Sequence, residues 1–206
     1  MTNKEKMLSG KLYDISDAEL VPMYKKCARL CKDFNDTYLD ETDKRSAILH
    51  ELLGELGEGS SLRGPIQFDY GCFTKIGKNS FANYNFTVLD CAPVTIGDDV
   101  FIGPCVTIGA PIHPLLSEER KSRYKEDGTK YDLEYAKPVT IEDGCWLASG
   151  VIVCGGVTIG KESVIGAGSV VTRDIPPGVF AVGNPCRVVR KLTKEDSVYN
   201  KKELFE

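Results

Sequence analysis

Nine aliphatic residues spaced six apart constrain this chain more than any other feature. Ile141, Leu147, Val153, Ile159, Ile165 and Val171 each follow the last by six residues, and Ile96, Ile102 and Ile108 keep the same step upstream. The next residue is usually small, as at Gly97, Gly103, Gly109, Ala148, Gly160 and Gly166. Two residues before the aliphatic position there is often a second valine: Val94, Val100, Val106, Val139, Val151 and Val157. Each six-residue unit reads as one short flat strand plus a turn, and three units make one triangular coil. The aliphatic side chain points inward, so coils stacked about 4.8 Å apart line up a column of Ile, Leu and Val. The small residue is expected to let the chain turn a corner without a clash. Six consecutive units over residues 139–174 give two coils, and three over 94–111 give one more. Irregular Gly- and Asn-rich units over about 66–90 supply the opening coils.

The rhythm fails once. Ile108 and Ile141 are 33 residues apart, so residues 112–137 must leave the coil as a charged loop. A loop of this length in a compact repeat domain is usually functional. Upstream, Ser16 and Glu19 have the spacing of a capping box and predict a helix opening at SDAEL. Leu20, Met23, Cys27, Leu30 and Cys31 form its apolar stripe. A second helix is expected through KRSAILHELLGELG, with Ile48, Leu49, Leu52, Leu53 and Leu56 as its apolar face and Gly57 and Gly59 ending it. After Val171 the segment TRDIPPGVFAVGNPCRVVRKL closes the solenoid, with Pro176 and Pro177 breaking the strand pattern. The chain thus divides into a helical segment (1–59), a repeat domain (60–192) and a charged, helical or frayed tail (193–206).

Composition excludes several partners. The formal net charge of −4 provides no electrostatic footprint for nucleic acid or an anionic membrane. No apolar run approaches the roughly 20 residues of a membrane span. The opening MTNKEKMLSGKLYD is polar, so no secretory signal is expected and the location is read as cytoplasmic. Eight cysteines occur without a CxxC pair and are expected to be reduced and mostly buried. The two histidines stand far from any tight cysteine cluster, so no zinc site is expected.

His50 lies in the second helix and reads as a surface residue. His113 stands where the loop leaves the coil, bracketed by Pro111 and Pro114, which restrict the backbone. An imidazole at a rigid corner suits general-base work near neutral pH, and it equally suits a structural role. Cys72, Cys91 and Cys105 have no flanking group that would depress a thiol pKa, so a nucleophilic cysteine is not expected. Trp146, the single tryptophan, should face outward, towards a ligand or towards another subunit.

The repeats, the KLYDISDAEL opening, FDYGCFTKIGKNSFANYNFTVLD, the His-Pro at the loop start and VIGAGSVVTRDIPPGVFAVGNPCRVVRKL together resemble the maltose and galactoside O-acetyltransferases over nearly the whole chain. The resemblance implies a mainly β chain, a left-handed parallel β-helix with an N-terminal helical segment and an extruded loop. It implies a homotrimer with sites between subunits, His113 and Trp146 facing each other across a groove. Acetyl-CoA would be the co-substrate, a sugar hydroxyl the acceptor, and no metal would be required. Transfer would be direct, with His113 as base, Asn83 near the His and the acceptor, and the Ser149 backbone serving the oxyanion zone. Glu134 matches a carboxylate near the His or the thioester; its plainer reading is an ordinary loop charge. Asp17, Asp69, Phe81, Asn83 and Cys91 match acceptor-side positions. Phe81 replaces a Tyr and Cys91 an Asp of a galactoside-specific relative, which weighs against galactoside preference. For CoA the resemblance points to Trp146, Ser149, Ala167, Thr172, Arg173 and Arg187. The arginines suit phosphates. Two other readings remain: a different small acceptor (amino sugar, serine or antibiotic), and a non-catalytic β-helix assembly subunit. A carbonic anhydrase of this fold would need three histidines, and the repeat region has one.

Overall fold

The six-residue step is one face of a triangle per unit. In the computed structural model, which describes residues 1–205, Ile76, Ile96, Ile141 and Ile159 lie in register on the first face. Ala82, Ile102, Leu147 and Ile165 do so on the second, and Val88, Ile108, Val153 and Val171 on the third. All are buried, as are the six valines two residues upstream of the aliphatic positions. The result is the expected left-handed parallel β-helix. The first face holds Glu55–Leu56, Thr74–Ile76, Val94–Ile96, Val139–Ile141 and Thr158–Ile159. The second holds Ser61–Leu62, Phe81–Ala82, Phe101–Ile102, Trp146–Leu147, Val164–Ile165, Val179–Gly183 and Cys186–Lys191. Ile66–Phe68, Phe86–Leu89, Thr107–Gly109, Ile152–Cys154 and Val170–Val171 make the third.

At Gly103 the small residue after the aliphatic position is required for a different reason from the one expected, whereas at Gly109 a Cβ would meet nothing within 4 Å. Gly103 does not adopt a positive φ; a Cβ there would sit 2.8 Å from the Ala148 carbonyl carbon and the Ser149 nitrogen of the next coil. There, as at Gly97 and Gly160, close stacking of backbones, not a turn conformation, excludes a side chain. The left-handed turn conformation falls elsewhere, on Asn79, Asn85, Asp99, Cys105 and Glu162 and on glycines such as Gly150 and Gly168.

The coil also starts before residue 60. Its first strand, Glu55–Leu56, pairs with Thr74–Ile76, so Leu56 belongs to the column and not to a helix. Three helices precede it: α1 (Asn3–Leu8), α2 (Leu20–Asn35) and α3 (Thr42–Leu52). The stripe of α2 is as expected, with Leu20, Cys27 and Cys31 buried and Phe34 added. Its start is not. The Ser16–Glu19 box does not form, because the Ser16 N–H and hydroxyl both donate to Asp14 (2.8 and 2.7 Å) and the Glu19 N–H donates to Asp17. Local turns around two aspartates outcompete the cap. A capping box does close on α1, between Thr2 and Glu5.

The helices seal the open end of the solenoid. Asn35 on α2 pairs both backbone groups of Ile66 through its amide (2.9 and 2.7 Å). Arg45 on α3 is buried and donates to the carbonyls of Leu62 and Arg63. Both satisfy an edge strand that would otherwise present unpaired groups. At the far end the antiparallel hairpin Val179–Gly183/Cys186–Lys191 closes the second face. Three short 3-10 turns follow in the tail. Among the described residues, no helix is long and apolar enough to cross a membrane, and no cysteine is in a disulfide.

Candidate active site

The extruded loop is tied down at its base. Leu133–Ala136 returns antiparallel to Pro111–Ile112, pairing Ile112 with Tyr135. Its other edge pairs with Tyr13–Asp14 from the N-terminal segment, Tyr13 opposite Glu134. A three-stranded sheet therefore joins the loop's departure, its return and the segment ahead of α2. Lys125 on the loop adds an ion pair to Asp14 at 2.6 Å.

His113 follows this sheet directly. Its side chain is half-exposed, and Nε2 lies 3.6 Å from Oε2 of Glu134, which is buried. That separation is longer than a hydrogen bond. The Tyr13 hydroxyl donates to the other oxygen, Oε1. Glu134 is thus no ordinary loop charge: it is a buried carboxylate set between a phenol and the imidazole.

A cavity of about 290 Å³ opens beside Glu134, with Asp69, Cys91 and Tyr70 on its coil side and Ile15, Val21 and Tyr24 on its N-terminal side. The Cys91 thiol donates to Asp69 at 3.5 Å. Burial pushes that thiol well above its ordinary value, so it serves as a proton donor and not as a nucleophile. Burial also raises the Asp69 carboxyl, to about 6. The folded protein therefore holds the Asp69 proton more tightly than the unfolded chain does. Stability falls as pH rises from about 4 to about 6, where the unfolded chain has already ionised. Asp69→Asn removes that loss. Relative to the wild type the variant should gain roughly 1–2 kcal/mol between pH 4 and pH 7. Denaturant melts at the two pH values check this, and a gap that does not change with pH refutes it.

A second, larger cavity of about 620 Å³ lies on the second face. Trp146, Asn83, Ser149 and Ala167 all line it, with Gly103 and Gly166 leaving backbone accessible. Trp146 is half-exposed, as expected, and stands in an outward register of Phe81, Phe101, Trp146, Val164 and Phe180. An extended, amide-rich chain fits such a wall of small residues and exposed backbone.

Several expected residues fall outside both cavities in the single chain. Asp17 accepts from the Asn3 amide at 2.8 Å, which holds its carboxyl below the ordinary value. Phe81 packs on Phe101, ring centres 6.4 Å apart, and borders a different cavity beside α3. Thr172, Arg173 and Arg187 are exposed and do not line the groove. His50 is exposed on α3. Sequence reasoning missed Ile15, Val21, Tyr24 and Tyr70, which line the first cavity, and Tyr13, which holds Glu134 from behind it; for Tyr13 and Ile15 the KLYDIS segment was the available signal. Among the described residues, no group of three or more His, Cys, Asp or Glu is placed to hold a metal ion.

Comparison with known proteins gives one answer. Residues 6–57 match the maltose acetyltransferase hexapeptide capping motif, 138–173 the six-repeat bacterial transferase hexapeptide, and 93–112 the hexapeptide repeat of succinyl-transferase. Galactoside O-acetyltransferase of Escherichia coli K12 is 39% identical over 97% of this chain and 94% of its own. The structure of a maltose O-acetyltransferase from Clostridium difficile 630 superposes with a TM-score of 0.87 at 45% identity, covering 94% of this chain and 99% of that one. A hexapeptide-repeat acetyltransferase from Vibrio cholerae, solved with acetyl coenzyme A, gives 0.82 at 36% identity, covering 94% and 100%.

Proposed function

Because the chain belongs to the maltose and galactoside O-acetyltransferase family, and is an acetyl-CoA-dependent acetyltransferase, we propose that it acetylates a hydroxyl of a sugar or glycoside with His113 as the general base. The observation that carries this reading is the half-exposed His113 set 3.6 Å from the buried Glu134, a carboxylate that lines one cavity with Asp69, Tyr24 and Tyr70. His113 accepts the proton of the acceptor hydroxyl as its oxygen attacks the thioester carbonyl. The tetrahedral oxyanion is met by the Ser149 backbone N–H. The C–S bond then breaks, and the proton returns to the departing CoA sulfur. Both substrates sit on the enzyme together, so much of the acceleration comes from alignment. Asp69 and Asn83 hold acceptor hydroxyls, with Asp17, Phe81 and Cys91 shaping the acceptor side. Trp146, Ser149, Ala167 and Thr172 border the pantetheine, and Arg173 and Arg187 meet the phosphates.

The cavity beside Glu134 and the groove beside Trp146 share no lining residue. A neighbouring copy that brings its groove against this cavity would complete each site. Contacts of that head-to-tail kind close in a ring; the ring proposed is a homotrimer, and the location proposed for it is the cytoplasm.

The test is release of the CoA thiol across glucose, maltose, a galactoside, an amino sugar, serine and chloramphenicol. Release that depends on a sugar, from a species of three times the chain mass by light scattering, is the expected result. Release with serine or chloramphenicol alone would move the acceptor outside sugars, and a stable active monomer would refute the shared site.

A further inference from the structure

We infer that Tyr13 is a positioning residue for the transfer, its hydroxyl anchoring one oxygen of Glu134 so that the other stays against His113. This rests on the reading of His113 as the base. Tyr13 and Glu134 are directly opposed in the short antiparallel sheet, which sets both side chains on one face. Tyr13 is 1% exposed, and its hydroxyl donates to Oε1 of Glu134. Oε2 is thereby left as the oxygen 3.6 Å from His113. Carboxylate torsions at the end of a glutamate are broad, and without an anchor the group is free to turn away from the imidazole.

The surroundings of the ring make the hydroxyl hard to explain by packing. It lies in a cluster with Met7, Leu20, Ala110 and Ala136, where phenylalanine would fill the same space. A hydroxyl buried there is unfavourable unless it is hydrogen-bonded. The polar side chains facing it are Glu134 and the Cys91 thiol. Burial strongly disfavours ionisation of the phenol, so it remains a donor throughout turnover. The segment is itself fixed, since the Asp14 N–H donates to the Asn3 side-chain oxygen and the Asp14 carboxylate accepts from Ser16 and Lys125. The helical segment at the N-terminus therefore reaches the reacting centre through one phenol.

Tyr13→Phe keeps the ring and removes only the donor. Its kcat should fall about 10-fold, with the KM for acetyl-CoA within about 2-fold of the wild type. In a Glu134→Gln background the same change should alter kcat by less than about 2-fold, because the charge it positions is gone. An unchanged kcat, or an equal fall in both backgrounds, would overturn the assignment; a purely structural role lowers the melting temperature without this dependence on background. Glu134→Asp tests the same idea without touching the buried ring. It keeps the charge but cannot span from Tyr13 to His113, so its kcat should drop to the Glu134→Gln level, and wild-type turnover would count against positioning. A fully active His113→Ala would instead remove the base reading on its own, whatever Tyr13 does.

Discussion

His113→Ala is expected to lower kcat by about 10²–10⁴-fold while leaving acetyl-CoA binding close to the wild type. The side chain is half-exposed and is not part of either buried cluster, so its removal should not disturb the coil. The groove beside Trp146 is built on another face from other residues, which is why affinity for acetyl-CoA should persist. Steady-state kinetics with the best acceptor, alongside calorimetric titration of acetyl-CoA, separates the two quantities. Loss of binding together with turnover would mean that His113 shapes the CoA site, and unchanged turnover would place the base elsewhere.

The second large effect concerns stability. Leu147 is fully buried in the middle of the second-face register, between Ile102 and Ile165. Leu147→Ala should destabilise by about 2–5 kcal/mol. The upper part of that range is expected, because a coil cannot sink into the void. Its backbone is held by the ladder on both sides, the Gly103 N–H donating to the Leu147 carbonyl at 2.7 Å and the Ala148 N–H to the Ile165 carbonyl at 2.9 Å. Chemical unfolding at fixed protein concentration measures the difference. A change below about 1 kcal/mol would show that the coils slide to refill the column.

The column was legible because its period is imposed by geometry that repeats: one aliphatic per face, one face per six residues. The opening coil was harder to read. Leu56 satisfies both a helical stripe and the column, and only the pairing of Glu55–Leu56 with Thr74–Ile76 decides between them. The start of α2 was misread for a related reason. Ser16 and Glu19 have the spacing of a cap, but Asp14 and Asp17 offer shorter-range partners that spacing alone does not rank. At the site, His113 stood out through its flanking prolines, and Glu134 could not be separated from the other loop charges. What distinguishes it is burial and a partner 121 residues away in sequence, and neither is a local property. Asp17 and Phe81 illustrate the opposite limit. Their surroundings in one chain are plain, an Asn3 amide for Asp17 and the Phe101 ring for Phe81, and neither lines the cavity beside Glu134 or the groove beside Trp146.

The pairing of Tyr13–Asp14 with Leu133–Ala136 has a consequence for how the molecule comes into being. Each coil needs only the one before it, so the solenoid can grow by successive short steps. The sheet at the loop base cannot. It joins the first residues of the chain to a strand reached only after most of the coil has been threaded, and contacts this distant in sequence are slow to close. Secondary structure can accumulate coil by coil, whereas the Tyr13–Glu134 pair forms only with that one late closure.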